Sequence, residues 1–208
     1  MIIPLDKIIG DYDLHIRGVI HIGAHWGEEY SYYKNAGIEN IMFFEPVESN
    51  LMALISSVPH GHKGIRVLNY ALGNETKDVD MYVDTTNQGQ SSSVLEPGTH
   101  LTLHPWVKFT RKERVRMTKL DLIHFDRQKY NMINIDIQGL ELECFKGAVE
   151  TLPYIDIIYS EVNTEQVYKG CALIGEIDEF LDGFGFVRVF ESFPYGKAWG
   201  DALYLKSR

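Results

Sequence analysis

The stretch VIHIGAHWGEEYSYYKNAGIENIMFFEPVESN, residues 19–50, decides the fold, because it holds two apolar runs with one helical segment between them. The first run, in GVIHIG (18–23), breaks into Gly23-Ala24-His25-Trp26-Gly27, and the second, NIMFFE, stops at Glu45-Pro46. Both runs are short, continuous and bounded by turn residues, the pattern of strands buried on both faces. Between them, GEEYSYYKNA (27–36) reads as a helix that Gly37 ends. Strand, crossover helix and strand make a βαβ unit, whose strands run parallel.

The same alternation continues outward from this unit. VESNLMALISSV reads as a helix, IRVLNYALG as a third strand and VDMYVD as a short extended excursion. A polar and aromatic insertion follows over residues 85–112. Then NMINIDI and YIDIIYSEV read as strands, each followed by a helical pattern, in LELECFKGAVETL and IGEIDEFLDGF. FVRVFESF and DALYLKS close the chain as two strands near enough to pair antiparallel. The expectation is an α/β Rossmann-like three-layer sandwich: a mostly parallel sheet, helices on both faces and an antiparallel C-terminal pair. With no repeat or linker to divide it, the chain reads as one domain over residues 1–208, with 1–16 as an N-terminal segment.

Bulk properties narrow the function classes. A formal charge of −9 argues against a nucleic-acid partner, which needs a basic footprint. The exception is KFTRKERVR (108–116), with five cations and one acid; it is either a solvated face or a dock for an anionic acceptor. No apolar run approaches the ~20 residues of a membrane span. No basic, then apolar, signal sequence opens the chain, so a cytoplasmic location is expected. Cys144 and Cys171 set no disulfide framework and lack zinc-ligand spacing.

In open parallel sheets, ligands bind outside the carboxyl ends of the strands. Gly23 permits a sharp turn beside a ligand, and Gly27 opens a helix with free amides toward the crevice. The glycines alone are a weak signal, and G-x-G-x-x-G, which a nicotinamide-dependent oxidoreductase would carry, is absent. Glu45 adds weight: 22 residues beyond Gly23, it stands where nucleotide-binding folds place the acid that accepts ribose hydroxyls. Asp136, inside an apolar run, and Glu161, one strand over, form a second acidic station. They could hold a metal, orient a hydroxyl, serve as a base, or simply bond each other. Glu141 reads equally as a helix-start cap or a functional acid.

At these residues the chain resembles the FkbM family, a branch of the class I S-adenosylmethionine-dependent methyltransferases. The resemblance is carried by IHIGAHWGEEYSYY, MFFEP, NYALGN, SSSVLEP, TKLDLI, NIDIQGLELECFKGA and SEVNTEQVYKG, in the family's order. It implies a seven-stranded sheet and methyl transfer to an oxygen, often a sugar or polyketide hydroxyl. It further implies that Gly23, Ala24, His25 and Gly27 surround the cofactor's methionine part, with Glu45 on the ribose. Ala71 and Leu72 would lie near the adenine, Ser92 or Ser93 at the cofactor's outer edge, and Asp136 at the sulfonium. Two positions depart from the family pattern: His21 stands where an acid is usual, and Gln138 where Glu is common.

The resulting expectation is an O-methyltransferase acting on a glycan or small-molecule hydroxyl. Asp136 and Glu161 are the catalytic candidates, and as hard oxygen ligands they would favour Mg²⁺ or Mn²⁺. His25 and His104 compete as bases, or are ordinary polar loop residues. Trp106 and Phe109, and Tyr168-Lys169, could wall the acceptor site, with the segment before Arg17 and the insertion setting its specificity. The remaining alternative is a non-catalytic module that keeps the fold as a scaffold.

Overall fold

The computed structural model describes residues 4–59 and 61–207. In chain order the elements are α1 (Leu5–Tyr12), β1 (Gly18–Ile22), α2 (Tyr30–Asn35), β2 (Asn40–Phe44), α3 (Glu48–Ser57), β3 (Ile65–Leu68), β4 (Ala71–Leu72), β5 (Lys77–Val83), α4 (His100–Leu103), β6 (Arg111–Thr118), β7 (Met132–Ile135), α5 (Glu141–Lys146), β8 (Ile157–Asn163), α6 (Ile174–Asp182), β9 (Phe186–Ser192) and β10 (Trp199–Lys206).

Seven strands form the main sheet in the order β3-β2-β1-β7-β8-β10-β9. The first five run parallel, and β10 inserts antiparallel between β8 and β9. This is the expected Rossmann-like fold, and the strand order reverses between β1 and β7. The central strands are apolar on both faces because both are covered. Ile20 and Ile22 point into a core with Ile133, Phe145, Ile177 and Leu181. Val19 points the other way, onto Leu5, Ile8, Tyr33 and Leu54. Each buried Leu or Ile side chain contributes about 1.5–3 kcal/mol of transfer free energy, which fixes the register.

The segment 65–73 is two strands in two sheets, not one. β3 ends at Leu68, and the Asn69 side chain donates to the carbonyls of Glu45 (2.9 Å) and Pro46 (3.0 Å). That turn sends the chain into a second sheet, β4-β6-β5. The extended excursion after it is a full seven-residue strand, and the basic stretch 108–116 is largely its partner β6. In this register Arg114 and Arg116 lie opposite Asp80 and Asp78 and bond them at 3.0 Å each. Lys112 lies over the Tyr82 ring at 4.2 Å. Three of the five cations are thus matched by acids or an aromatic ring across the ladder.

One further expectation changes. Helix α2 starts at Tyr30 rather than Gly27, because Gly27 adopts φ +80° in the turn before it. In the N-terminal segment, Leu5 and Ile8 of α1 are buried on the sheet, and residues 1–3 lie outside the described residues.

Candidate active site

The carboxyl ends of β1, β2, β7 and β8 converge on one cavity of about 760 Å³. Gly23, His25, Glu45, Ser92, Asp136 and Glu161, six of the residues singled out from the sequence, line it. The turn after β1 is pinned at both sides. The amides of Gly23 and Ala24 both donate to the Phe44 carbonyl at 3.0 Å, and the Asp136 amide donates to the Ile22 carbonyl at 3.0 Å. A Cβ on Gly23 would meet the Asp136 carbonyl at 1.8 Å, and φ there is +83°. Only glycine lets the two strand ends approach this closely.

Glu45 occupies the far end of the cavity. It is 4% exposed and accepts from the amides of His25 (2.9 Å) and Val47 (2.8 Å). Burial pushes its carboxyl up to about 7, against the downward pull of those two amides. The Asn50 side chain is a third hydrogen-bond partner of this carboxyl. His25 has left-handed backbone, φ +48°, an unfavourable conformation for a residue with a side chain. Its ring bonds Glu28 through Nδ1 (2.7 Å) and the Gln88 carbonyl through Nε2 (2.8 Å). Burial alone would lower its pKa, but these two bonds and the charge of Glu28 prevail and raise it. Through this ring the segment 84–93 is tied over the cleft. Asp84 shapes that segment by accepting from the amides of Thr86 and Asn87, each at 2.8 Å.

Asp136 and Glu161 do come together, though not as expected. β7 ends at Ile135, so Asp136 stands beyond the strand, exposed on the cavity wall rather than buried in the sheet. Glu161 is 3% exposed within β8. The Gln138 amide bridges them, donating to Asp136 Oδ1 (2.8 Å) and Glu161 Oε2 (2.6 Å). Burial, then the neighbouring charges of Asp136 and Glu141, raise the Glu161 pKa well above the usual range. Glu141 is fully buried and caps the loop before α5, its Oε1 accepting from the amides of Ile137 and Gly139 at 3.1 Å each. Burial pushes it up to about 7. Its other oxygen, Oε2, is buried without a hydrogen-bond partner among the described residues.

Other predicted residues lie elsewhere. Ala24 is 1% exposed in the core below α3, and Gly27 faces Leu54 and Ser57 of that helix. Ala71 and Leu72 are buried in the β4 region, Ala71 among Met81, Val83 and Met117. None of these four lines the cavity. Ser93 donates to the Gln138 carbonyl at 2.8 Å. Trp106 lines the mouth and is 62% exposed, whereas Phe109 packs against the Val167–Tyr168 cluster. Tyr168 is fully buried and bonds Gln138. His104 lines the mouth, its Nε2 accepting from Trp199 at 3.2 Å.

The departure at His21 has a structural answer. Burial lowers its pKa, so the ring is neutral. Asn134 donates to the Tyr33 hydroxyl (2.7 Å), which lies 3.3 Å from His21 Nδ1. Tyr33 thus links the His21 ring on β1 to Asn134 on β7. Residues absent from the sequence reading also line the cavity: Glu28, Glu29, Asn50, His100, Tyr195, Trp199 and Asp201. Asp201 is paired in register with Glu161 across β10 and accepts from Tyr159. An acid inside the apolar run GDALYL was the available signal for it.

A nucleoside bearing a positive charge suits this cavity. Six carboxyl groups line it, from Glu28, Glu29, Glu45, Asp136, Glu161 and Asp201, and no Lys or Arg does among the described residues. A divalent cation does not suit it. Among the described residues no three His, Cys, Asp or Glu converge in a metal-binding group. Between Asp136 and Glu161 lies an amide nitrogen whose hydrogens, not lone pairs, face both acids. The expected Mg²⁺ or Mn²⁺ pair is corrected on that ground.

The sequence matches the family model of the methyltransferase FkbM domain over residues 21–188. It is 27% identical over 146 residues to the 2-O-methyltransferase NoeI of Sinorhizobium fredii, covering 67% of this chain and 58% of that protein. The chain thus spans less than two thirds of that relative's length. Among solved structures it resembles a putative tRNA (m1A22) methyltransferase of Streptococcus pneumoniae in complex with S-adenosyl-L-methionine (TM-score 0.55, 13% identity, 97% of this chain and 72% of that one). It also resembles the magnesium protoporphyrin IX methyltransferase of Synechocystis with the same molecule bound (TM-score 0.51, 9% identity, 91% and 69%). At these identities the likeness is one of fold.

Proposed function

The chain belongs to the FkbM family of S-adenosylmethionine-dependent methyltransferases, and on that premise we propose that it methylates a hydroxyl of an uncharged or amine-bearing sugar or similar small molecule. The observation that carries this reading is the continuous cavity from Glu45 past Asp136 and Glu161 to Trp106, Tyr195 and Trp199, lined by acids without a Lys or Arg among the described residues. Glu45 would hold the ribose hydroxyls. The turn at Gly23, with His25 and Ser92, would flank the rest of the cofactor. When bound, S-adenosylmethionine supplies an electrophilic methyl group for in-line displacement.

The chain's own residues do the remaining work. A neutral hydroxyl is a poor nucleophile until its proton leaves. Burial and the charges of Asp136 and Glu141 favour the protonated form of Glu161, and the basic role is assigned to Asp136, which is exposed on the cavity wall and would receive the hydroxyl proton. Glu161 and Gln138 fix that carboxylate, and alignment of this kind is worth several kcal/mol, roughly 7–11 at its fullest. The rings of Trp199 and Tyr195 stack with centroids 5.4 Å apart at the mouth, a surface suited to the apolar face of a pyranose. An acceptor carrying phosphate or carboxylate would find no Lys or Arg among the described residues lining this cavity. No helix among the described residues is long and apolar enough to cross a membrane.

The test is calorimetric titration with S-adenosylhomocysteine, with NADH as control, followed by transfer of labelled methyl to neutral glycans, amino sugars, nucleotide sugars and RNA. Label is expected in the first two classes. Preferred labelling of nucleotide sugars or RNA, or binding of NADH alone, overturns the reading.

A further inference from the structure

We propose that Gln138 is the positioning residue of the acid pair, a neutral amide clamp standing where a divalent cation would otherwise have to hold Asp136 and Glu161 together. The inference rests on the proposed role of the pair, but its test does not require an acceptor.

Four bonds fix Gln138. Its Nε2 spends both hydrogens, one on Asp136 Oδ1 at 2.8 Å and one on Glu161 Oε2 at 2.6 Å. Its Oε1 accepts from the Tyr168 hydroxyl at 2.6 Å, and its carbonyl accepts from Ser93 Oγ at 2.8 Å. In this orientation Nε2 donates to both carboxyl groups and Oε1 faces the Tyr168 hydroxyl, which also lies 2.9 Å from the Ser91 carbonyl. The backbone of Gln138 is left-handed, φ +56°, and so strained for a residue with a side chain. Such a conformation persists only where the surroundings over-determine it, and it often marks a functional constraint.

Two carboxyl groups on neighbouring strand ends need a group that fixes them relative to each other. A cation would meet that need with bonds of about 2.0–2.1 Å to oxygen lone pairs. Gln138 meets it with two N–H dipoles, and its nitrogen offers no lone pair to a metal. Replacing that nitrogen by oxygen reverses the chemistry. Three carboxyl oxygens would then converge at the present 2.6–2.8 Å spacings. Adjacent oxygens around an octahedral Mg²⁺ or Mn²⁺ lie ~2.9 Å apart, as right angles between such bonds require. One atom therefore separates an amide-clamped pair from a cation-binding triad.

The experiment titrates wild-type protein and Gln138→Glu with Mn²⁺, reading free ion by electron paramagnetic resonance, with circular dichroism and S-adenosylhomocysteine titration on the same samples. Gln138→Glu is expected to bind one equivalent of Mn²⁺ at least tenfold more tightly than wild type, and Asp136→Asn in that background to abolish the gain. A purely structural glutamine would not produce this gain. The proposal is overturned if wild type itself binds one Mn²⁺ that Asp136→Asn removes. It is equally overturned if folded Gln138→Glu gains no affinity. Failure of S-adenosylhomocysteine to bind wild type would overturn the methyltransferase reading instead, leaving the cation result to stand by itself.

Discussion

Glu45 offers the sharpest quantitative test, because one buried carboxyl connects folding stability to cofactor affinity. Its pKa rises from an ordinary 4.5 to about 7. Below pH 4.5 the group is neutral in the folded and unfolded chain and has no net effect. Between 4.5 and 7 the unfolded chain releases the proton while the folded one keeps it, so stability falls as pH rises. Above 7 the loss is complete, about 3 kcal/mol at 1.36 kcal/mol per unit. Cofactor binding should run the other way. Only the ionised carboxylate can accept both ribose hydroxyls while still accepting from the His25 and Val47 amides. At pH 5.5 about 3% of Glu45 is ionised, so affinity should be about 30-fold below its alkaline plateau. Glu45→Gln has no such proton to lose. Its S-adenosylhomocysteine affinity should be flat across this range, and 10- to 100-fold or so below wild type at pH 8, the worth of a hydrogen bond to a charged group. Titration calorimetry from pH 5.5 to 8.5, with urea unfolding over the same range, reads both effects. An equal pH slope in wild type and Glu45→Gln, for affinity or for stability, would refute the assignment of this carboxyl to the ribose end of the cavity.

Three other outcomes follow from the same geometry. Asp136→Asn should lower turnover by roughly 10²–10⁴, the usual range for losing a general base, with S-adenosylhomocysteine affinity changed little; a turnover close to wild type would remove Asp136 from the chemistry. His25→Ala should release the segment 84–93 from its bond to the ring, seen as faster amide exchange at residues 85–91. Because the His25 pKa is raised, its contribution holds below about 6.5, the ordinary histidine value, and is lost as pH rises through the folded value; wild-type exchange, corrected for intrinsic rates, should therefore quicken on the alkaline side, while the variant shows no such step. Gly23→Ala should fail to bind cofactor and melt several degrees lower, since its Cβ would collide with the Asp136 carbonyl and its φ is +83°; an unchanged melting temperature would contradict the close approach of the two strand ends.

How far the sequence leads is set by which forces have a local signature. Burial on both faces leaves continuous apolar runs, so β1, β2, β7 and β8 are legible, and with them the polar residues that end or interrupt those runs. Glu45, Asp136 and Glu161 stand out for that reason. The turn after β1 is harder, because a glycine's purpose depends on what approaches it. Gly23 makes room for another strand end and Gly27 for α3, yet both look alike in the sequence. Ala71 and Leu72 mislead for a related reason: the break at Asn69 is set by carbonyls of the distant Glu45-Pro46 turn, so nothing local says that the chain changes sheets. Gln138 shows the deepest limit. As a departure from a family pattern it reads as a loss, one carboxylate fewer for a base or a metal. Its partners come from the ends of β7 and β8, the segment after β5 and the turn after β8, which only the folded chain assembles. There the missing charge becomes two donated hydrogens that join two acids. The same substitution thus takes one function from the site and supplies another, and the difference lies in geometry that no spacing along the chain encodes.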